Sequence, residues 1–343
     1  MKKKILVTGG TGYIGSHTAV ELINRGYEVI IIDNLSNSSA DVLNGIEQIT
    51  GIRPAFFQFD LCDNNQTVDF FNSHRDISAT IHFAAFKAVS ESVEKPLKYY
   101  RNNLVSLINL LEGMKLNNQG NLVFSSSCTV YGQPDFLPVD ENAPIKEAES
   151  PYGNTKQISE DIIKDFAKST GNFKTISLRY FNPIGSHPSA FIGELPLGVP
   201  ENLVPYITQT AVGKREKLRV FGNDYNTRDG SCIRDYINVN DIAAAHVLAI
   251  ERMINGKCKS NFEIYNLGSG TGVTVLEVIR AFEKATGINL NYEIVSRRPG
   301  DVEQVFADAS LALKELGWKA STSLEDTMKS AWNWELQLNK QMK

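Results

Sequence analysis

Over the first 180 residues, short β-branched runs alternate with longer segments of helical period, and this alternation leaves very few architectures open. The strand candidates are Lys4–Thr8, Glu28–Asp33, Ala55–Asp60, Thr80–Ala84, Asn121–Ser126 and Lys174–Tyr180. Between them lie Tyr13–Asn24, Ala40–Ile49, Asn65–His74, Lys95–Lys115 and Gly153–Ser169, each amphipathic or capped. Apolar strands separated by helices are what a parallel sheet covered on both faces requires. The expected fold is α/β, a Rossmann-type doubly wound parallel sheet.

The rhythm breaks after Asn182. Residues 183–205 are rich in Pro and Gly without sustained periodicity, as in a long loop or a cap. Beyond them come a strand at Phe262–Leu267, a helix at Val273–Ala285, a strand at Asn291–Val295 and a terminal helix near Ser323–Gln337. The expectation is two domains: 1–182 with the first sheet, and 183–343 as a smaller mixed α/β substrate domain. The chain is expected to return in part to the first sheet.

A chain of 343 residues buries enough surface to need neither a metal nor a disulfide. Cys62, Cys128, Cys232 and Cys258 form no CxxC pair and no metal-ligand cluster with the five histidines, so reduced thiols and no metal are expected. After Met1-Lys2-Lys3-Lys4 the apolar run Ile5-Leu6-Val7 stops at Gly9-Gly10, which is too short for a secretion signal. With no stretch of ~18 apolar residues, a cytoplasmic protein is expected. Lys+Arg 35 against Asp+Glu 39 leaves a net charge of -4, which argues against nucleic acid or an anionic membrane as partner.

The strongest local signal is Thr8-Gly9-Gly10-Thr11-Gly12-Tyr13-Ile14-Gly15, which follows a strand and opens a helix. Glycines there allow a tight turn, close approach of a pyrophosphate and tight helix–strand packing, with the phosphates at the helix N-terminus. Asp33 ends the second strand, 21 residues after Gly12, where a carboxylate accepts from ribose hydroxyls. No Lys or Arg lies in 34–40 to neutralise a 2′-phosphate, which favours NAD over NADP. The ordinary alternative is a plain strand-to-helix turn, and Asp33 has weight only beside the glycines.

A second group is Ser125-Ser126-Ser127 at a strand end with Tyr152-Gly153-Asn154-Thr155-Lys156 opening a helix. Tyr152 and Lys156 are i, i+4 and share a helix face. They form the only Tyr-x-x-x-Lys in the chain. An ammonium near a phenol lowers the phenol's pKa from ~10 toward neutrality, and a bound nicotinamide cation adds to that. A phenolate can then take a proton from an alcohol as hydride leaves the same carbon. Ser127 would bond the reacting oxygen, and Lys156 the nicotinamide ribose. A surface Tyr beside a solvated Lys is the bland alternative.

Read together, TGGTGYIGSH, DNLSNS, HFAAFKAV, SSSCTVYG, SPYGNTK and LRYFNP resemble the extended short-chain dehydrogenase/reductase family. FGNDYNTRDGSCIRDYINVNDIA and IYNLGSG are similar to its UDP-hexose 4-epimerase branch. The resemblance runs from Lys4 to about Trp334. It implies NAD in the N-terminal domain and a UDP-sugar in the cleft against the C-terminal one. Cofactor contacts implied by the matching motifs are Gly9, Gly12, Tyr13, Ile14, Gly15, Asp33, Asn34, Asn37 and Ser38. Others are Asp60, Leu61, Phe83, Ala84, Ala85, Lys87, Asn102, Tyr152, Lys156 and Tyr180. Phe83, Ala84 and Ala85 would serve equally well as plain core.

For the UDP-sugar, the implied contacts are Lys87, Ser127, Tyr152, Phe181, Asn182, Asn202, Leu203, Phe221, Arg234, Tyr236, Arg298, Asp301 and Val305. Arginine suits a pyrophosphate through its bidentate fork; the alternative for Arg234-Asp235 is a local salt bridge. Asn154, Thr155, Cys128, Leu195 and Asn238 depart from the family pattern, and Leu195 puts its loop's sugar contacts in doubt.

The implied reaction is 4-epimerisation of UDP-glucose and UDP-galactose through a 4-keto intermediate, with NAD recycled. The family's dehydratases carry Asp-Glu where this chain has Cys128-Thr129, and a reductive epimerase would use NADPH. A non-catalytic NAD sensor is the reading from another class, but such proteins lose the Tyr or the Lys. The position four residues after Asp301 borders the sugar's 2′ substituent in this family. Val305 there leaves room for an N-acetyl group unless Phe306 swings in or Val305 merely packs in the core, so UDP-GlcNAc and UDP-GalNAc are expected as further substrates. A homodimer is implied, with Lys95–Lys115 and Gly153–Ser169 pairing across a two-fold axis.

Overall fold

The computed structural model describes residues 2–298 and 302–341. In its first half, β1 (Lys4–Thr8), α1 (Tyr13–Asn24), β2 (Glu28–Asp33), α2 (Val42–Thr50) and β3 (Ala55–Gln58) come first. They are followed by α3 (Asn64–Ser73), β4 (Ile77–His82), α4 (Val89–Glu94), α5 (Pro96–Leu116), β5 (Asn121–Ser127), α6 (Pro151–Thr170) and β6 (Lys174–Tyr180). Next are β7 (Asn182–Ile184), α7 (Leu203–Ala211), β8 (Leu218–Phe221), β9 (Ile233–Arg234), β10 (Tyr236–Asn238), α8 (Val239–Ile254) and β11 (Phe262–Leu267). Last come β12 (Val273–Thr274), α9 (Val275–Thr286), β13 (Tyr292–Val295), β14 (Gln304–Val305), α10 (Ser310–Leu316) and α11 (Leu324–Gln341).

Seven strands form one sheet in the order β3-β2-β1-β4-β5-β6-β11, every neighbouring pair parallel. Alternate side chains leave its two faces. Ile5, Val7, Ile31, Val123 and Leu178 enter one core with α1 and α8. Leu6, Ile30, Ile32, Leu122 and Phe124 enter the other, with α3, α5 and α6. This is the doubly wound sheet expected. Its seventh strand, β11, lies beyond residue 182, as does α8, which packs on α1.

Helix α8 is hard to read from the sequence because the stripe it leaves partly exposed, Asn240, Ala244, Leu248 and Glu251, is apolar at its two middle positions. Its middle, Ile242–Ile250, is almost wholly buried, as a helix within a core must be. Several boundaries also shift. The third strand ends at Gln58, before Asp60, and the fourth runs from Ile77 to His82 rather than over Thr80–Ala84. Val273 belongs to a short strand, and α9 starts at a Thr274/Glu277 capping box. Residues 183–205 are mostly loop, but the end of β7 and the start of α7 lie inside them. The second half builds a third core around α7, α9, α11 and the parallel β8–β13 ribbon.

Three buried histidines predict an acid limit to stability. Burial lowers His17 and His82 to about 3 and His246 to about 4. In the unfolded chain each takes up a proton near pH 6.5. Between about pH 6.5 and 4 the unfolded state therefore binds more protons, and stability falls as pH falls, by on the order of 1 kcal/mol per unit and histidine. The melting temperature is expected to drop by about 5 °C or more between pH 7 and 5, above the range where carboxylates titrate. A melting temperature that stays level over that interval contradicts the assignment. His246→Leu should reduce the slope.

Candidate active site

Because the large sheet is parallel, the ends of β1, β2, β4, β5 and β6 open along one edge, which is where such sheets bind ligands. Gly9 leaves β1 with φ of 69°, and a Cβ there would stand 2.7 Å from the Ala84 backbone nitrogen. At Gly15 a Cβ would stand 2.3 Å from the Gly9 carbonyl oxygen. Gly12, the N-cap of α1, carries no side-chain cap, and a Cβ on it would meet only the Gly9 oxygen, at 3.1 Å. The first turn of α1, Tyr13 and Ile14 included, thus presents backbone N–H groups over a side-chain-free cradle, which fits a dinucleotide's diphosphate. The Tyr13 hydroxyl donates to the Gly185 carbonyl at 2.6 Å and ties this turn to the second half of the chain.

Asp33 is buried at the end of β2. Its carboxylate accepts from Thr11 N (3.2 Å), Leu35 N (2.9 Å) and Ser38 Oγ (3.1 Å). Ser38 and Thr11 also share a hydroxyl contact of 2.8 Å, so Thr11, not anticipated from sequence, helps to place the acid. Asn34 donates to Asp60 at 3.1 Å, and Asn37 is exposed in the same loop. Leu61 is a core residue: its carbonyl accepts from Thr67 (3.3 Å) and Asn109 (2.8 Å). Phe83, with Ala84 and Ala85 in the turn after β4, has its ring 4.6 Å from that of His246. Asn102 donates to Asn103 at 3.0 Å. Asn103 bonds both backbone groups of Phe86 (2.9 and 3.1 Å) and Thr155 Oγ1 (3.1 Å), linking the segment before Lys87 to α6.

Ser127 ends β5 and Pro151 opens α6, with Ser150 Oγ accepting from Gly153 N at 3.1 Å. That cap sets Tyr152 in the first turn, and Lys156 one turn later. Lys156 Nζ donates to the Ser125 carbonyl at 2.7 Å and lies 5.9 Å from the centre of the Tyr152 ring. Ser125 Oγ and the Tyr180 hydroxyl are hydrogen-bonded. Burial pushes Tyr152 up to about 12, opposed by the Ser127 hydroxyl. Burial lowers Lys156 to about 8, opposed by Glu160. In the protein alone burial holds the phenol protonated, and a phenolate near pH 7 needs positive charge beside it.

Two small sheets bring second-half candidates together. The β7–β10 pair sets Asn182 beside Tyr236, and β9–β14 sets Arg234 beside Val305. Phe181 is buried in the core, and the Arg298 guanidinium lies 5.6 Å from the exposed Phe221 ring. Asn202, just ahead of Leu203, donates to Glu194 at 2.6 Å, and Lys87 reaches the same oxygen at 3.3 Å. Glu194 was missed, although its neighbour Leu195 had singled out this loop. Asp235 does not depend on its neighbouring arginine, since its two oxygens accept from Ser269 N (2.7 Å) and Ala307 N (3.0 Å). Asp301 lies outside the described residues. Phe306 packs on Gly272, where a Cβ would stand 3.1 Å from its ring. Among the described residues no His/Cys/Asp/Glu group is placed to hold a metal, and no helix is long and apolar enough to cross a membrane.

The family model described as GDP-mannose 4,6 dehydratase matches residues 6–331. A UDP-glucose 4-epimerase of Bacillus subtilis is 50% identical over 331 residues, 96% of each chain. Among solved structures, a UDP-glucose 4-epimerase from Stenotrophomonas maltophila, with bound NAD and formylated UDP-arabinopyranose, superposes with a TM-score of 0.95. It is 47% identical over 99% of both chains. The UDP-Glc/GlcNAc 4-epimerase of Campylobacter jejuni is 36% identical, with a TM-score of 0.84, covering 98% of this chain and 99% of its own.

Proposed function

The chain belongs to the UDP-glucose 4-epimerases of the extended short-chain dehydrogenase/reductase family, and on that premise we propose how its residues carry out NAD-dependent 4-epimerisation of UDP-hexoses. The observation that carries the assignment is the meeting of Tyr152, Lys156 and Ser127 at the sheet edge that holds the glycine turn and Asp33. NAD would lie on Gly9, Gly12 and Gly15 with its ribose at Asp33, and when bound it takes hydride from the sugar C4 and returns it. Tyr152 removes the 4-hydroxyl proton and gives it back to the ketone. Ser127 bonds the same oxygen, and Lys156 supplies positive charge and holds the nicotinamide ribose. With NAD bound, the nicotinamide cation would add to Lys156 the positive charge that a phenolate at Tyr152 needs.

Arg234 and Arg298 hold the pyrophosphate, with Asn182, Asn202 and Tyr236 around it and Asp301 at the uridine ribose. Inversion needs a UDP held firmly and a hexose free to turn and present its other face. Cys128 stands where elimination would need a strong acid. Burial pushes its thiol up to about 12, which speaks against the dehydratase reaction. The division of labour follows the halves of the chain, 1–182 for NAD and most of 183–343 for the UDP-sugar.

The proposed range extends to UDP-GlcNAc and UDP-GalNAc. Val305 is small and only partly buried, at the margin of the main core, and Phe306 lies beside Gly272, which supports this reading. Offered UDP-galactose and UDP-N-acetylgalactosamine separately, the wild type should convert both. Val305→Tyr should lower kcat/KM for the acetylated sugar by about 100-fold and leave the plain hexose within a few-fold. Turnover of the unsubstituted sugars alone by the wild type contradicts the open pocket.

A homodimer through α5 and α6 is part of the proposal, and Leu97 (80% exposed) and Ile108 (40%) on α5 offer it apolar surface. Sedimentation at micromolar concentration should give twice the monomer mass; a monomer contradicts it. All four cysteines are free, in keeping with a reducing cytoplasm, and either galactose use or supply of polysaccharide precursors would draw on this reaction.

A further inference from the structure

The buried polar groups that the proposed chemistry leaves unused converge on Glu160. It lies one helical turn beyond Lys156 and two beyond Tyr152 on α6, and is 2% exposed. One carboxylate oxygen accepts from Ser126 Oγ (2.7 Å), Ser177 Oγ (2.8 Å) and Arg179 Nε (3.0 Å). The other pairs with Arg179 Nη2 at 2.5 Å. Arg179 is equally buried, with its guanidinium 4.8 Å from the Tyr131 ring, and Tyr131 donates to Asn266 of β11 at 2.7 Å. A single carboxylate thus ties α6 to β5 and β6 and, through Arg179 and Tyr131, to β11.

Ser126 sits between the two serines nearest the proposed chemistry. The Ser125 carbonyl holds Lys156, and Ser127 faces Tyr152. A buried ion pair is weak evidence for stability, because apolar residues of the same volume often serve as well. We propose that Glu160, gripped by Arg179, is a positioning residue for the proton-transfer centre, setting the Ser125–Ser127 strand end against the helix that carries Tyr152 and Lys156. This rests on the roles proposed above for those side chains.

Glu160 also contributes charge. Lys156 is faced by Tyr152 and Glu160 from α6, by His82 from β4, by the Phe124 ring and Ser125 carbonyl from β5, and by Tyr180 of β6 through Ser125. Burial keeps His82, Tyr152 and Tyr180 neutral, so Glu160 is the anion of the set. Removing its charge leaves Arg179 uncompensated and makes the Lys156 proton easier to lose.

The test is steady-state kinetics of the NAD-loaded holoenzyme on UDP-galactose from pH 6 to 10. Glu160→Gln should lower kcat about tenfold at pH 8 with KM within about twofold, and move the alkaline limb down by about one pH unit. Glu160→Asp should recover most of kcat. The double variant Ser126→Ala/Ser177→Ala keeps both charges. It should lower kcat about threefold without moving the limb, which separates placement from charge. A folded Glu160→Gln with wild-type kcat and limb overturns the proposal. If that variant does not fold, wild-type kcat in the double serine variant overturns it. Tyr152→Phe is the control: an active Tyr152→Phe defeats the underlying chemistry, whereas an inactive one beside a wild-type-like Glu160→Gln defeats the positioning role alone.

Discussion

Tyr152→Phe should fold, keep its cofactor and lose turnover by roughly 10²–10⁴-fold, the usual contribution of a general acid–base group. The substitution removes one oxygen and keeps the ring that packs in the first turn of α6. Lys156 keeps its bond to the Ser125 carbonyl, and the glycine turn and Asp33 are untouched. The loss should fall on kcat, with KM for UDP-galactose little changed. On denaturation the variant should release about one NAD(H) per chain, as the wild type should, because a cofactor that cycles within turnover has no reason to leave. Activity within tenfold of wild type removes Tyr152 from its assigned role.

Gly15→Ala should act at an earlier level. The added methyl group would stand 2.3 Å from the Gly9 carbonyl oxygen and 2.9 Å from the Gly10 Cα, which are both backbone atoms in a turn with no slack. Either α1 shifts away from β1 or the turn opens, and both distort the cradle over which the diphosphate would lie. A stability loss of about 3 kcal/mol is expected, in the range of overpacked cores. The purified variant should carry no NAD(H) and show no turnover without added cofactor. Gly12→Ala is the matched comparison, since its methyl would meet only the Gly9 oxygen at 3.1 Å; it should fold near normally and lose cofactor affinity. Retention of NAD(H) by Gly15→Ala contradicts the cradle.

The sheet was legible because its strands are short β-branched runs whose alternate residues fill two separate cores. The glycine turn was legible because backbone contact there excludes side chains outright. Helix α8 was not, since its partly exposed stripe carries Ala244 and Leu248 between Asn240 and Glu251 and so shows little polar contrast. Short strands such as β9, β12 and β14, two residues each, carry too little pattern to stand out, yet β9 and β14 are what set Arg234 beside Val305.

Within the site, the residue types and their order could be read, but the balance of forces on them could not. The spacing of Tyr152 and Lys156 indicated an ammonium near a phenol. It did not reveal how far burial raises the phenol, because burial depends on packing between distant parts of the chain. Glu194, Asn103, Thr11 and Glu160 were missed for a related reason: each acts by holding another residue from a distant part of the chain. The Thr274-x-x-Glu277 capping box is a local signal that the expected helix start at Val273 overlooked, and it marks where α9 begins.

The most direct measurement follows the hydrogen at C4 of the sugar. UDP-galactose carrying deuterium at C4 is converted in ordinary water with an excess of unlabelled NADH present. If the hydride leaves and returns within one closed site, the UDP-glucose formed keeps the deuterium at C4, and no label reaches the solvent or the free cofactor pool. Loss of label to either pool, or release of a 4-keto-6-deoxy sugar in place of UDP-glucose, contradicts epimerisation by a retained cofactor at Tyr152.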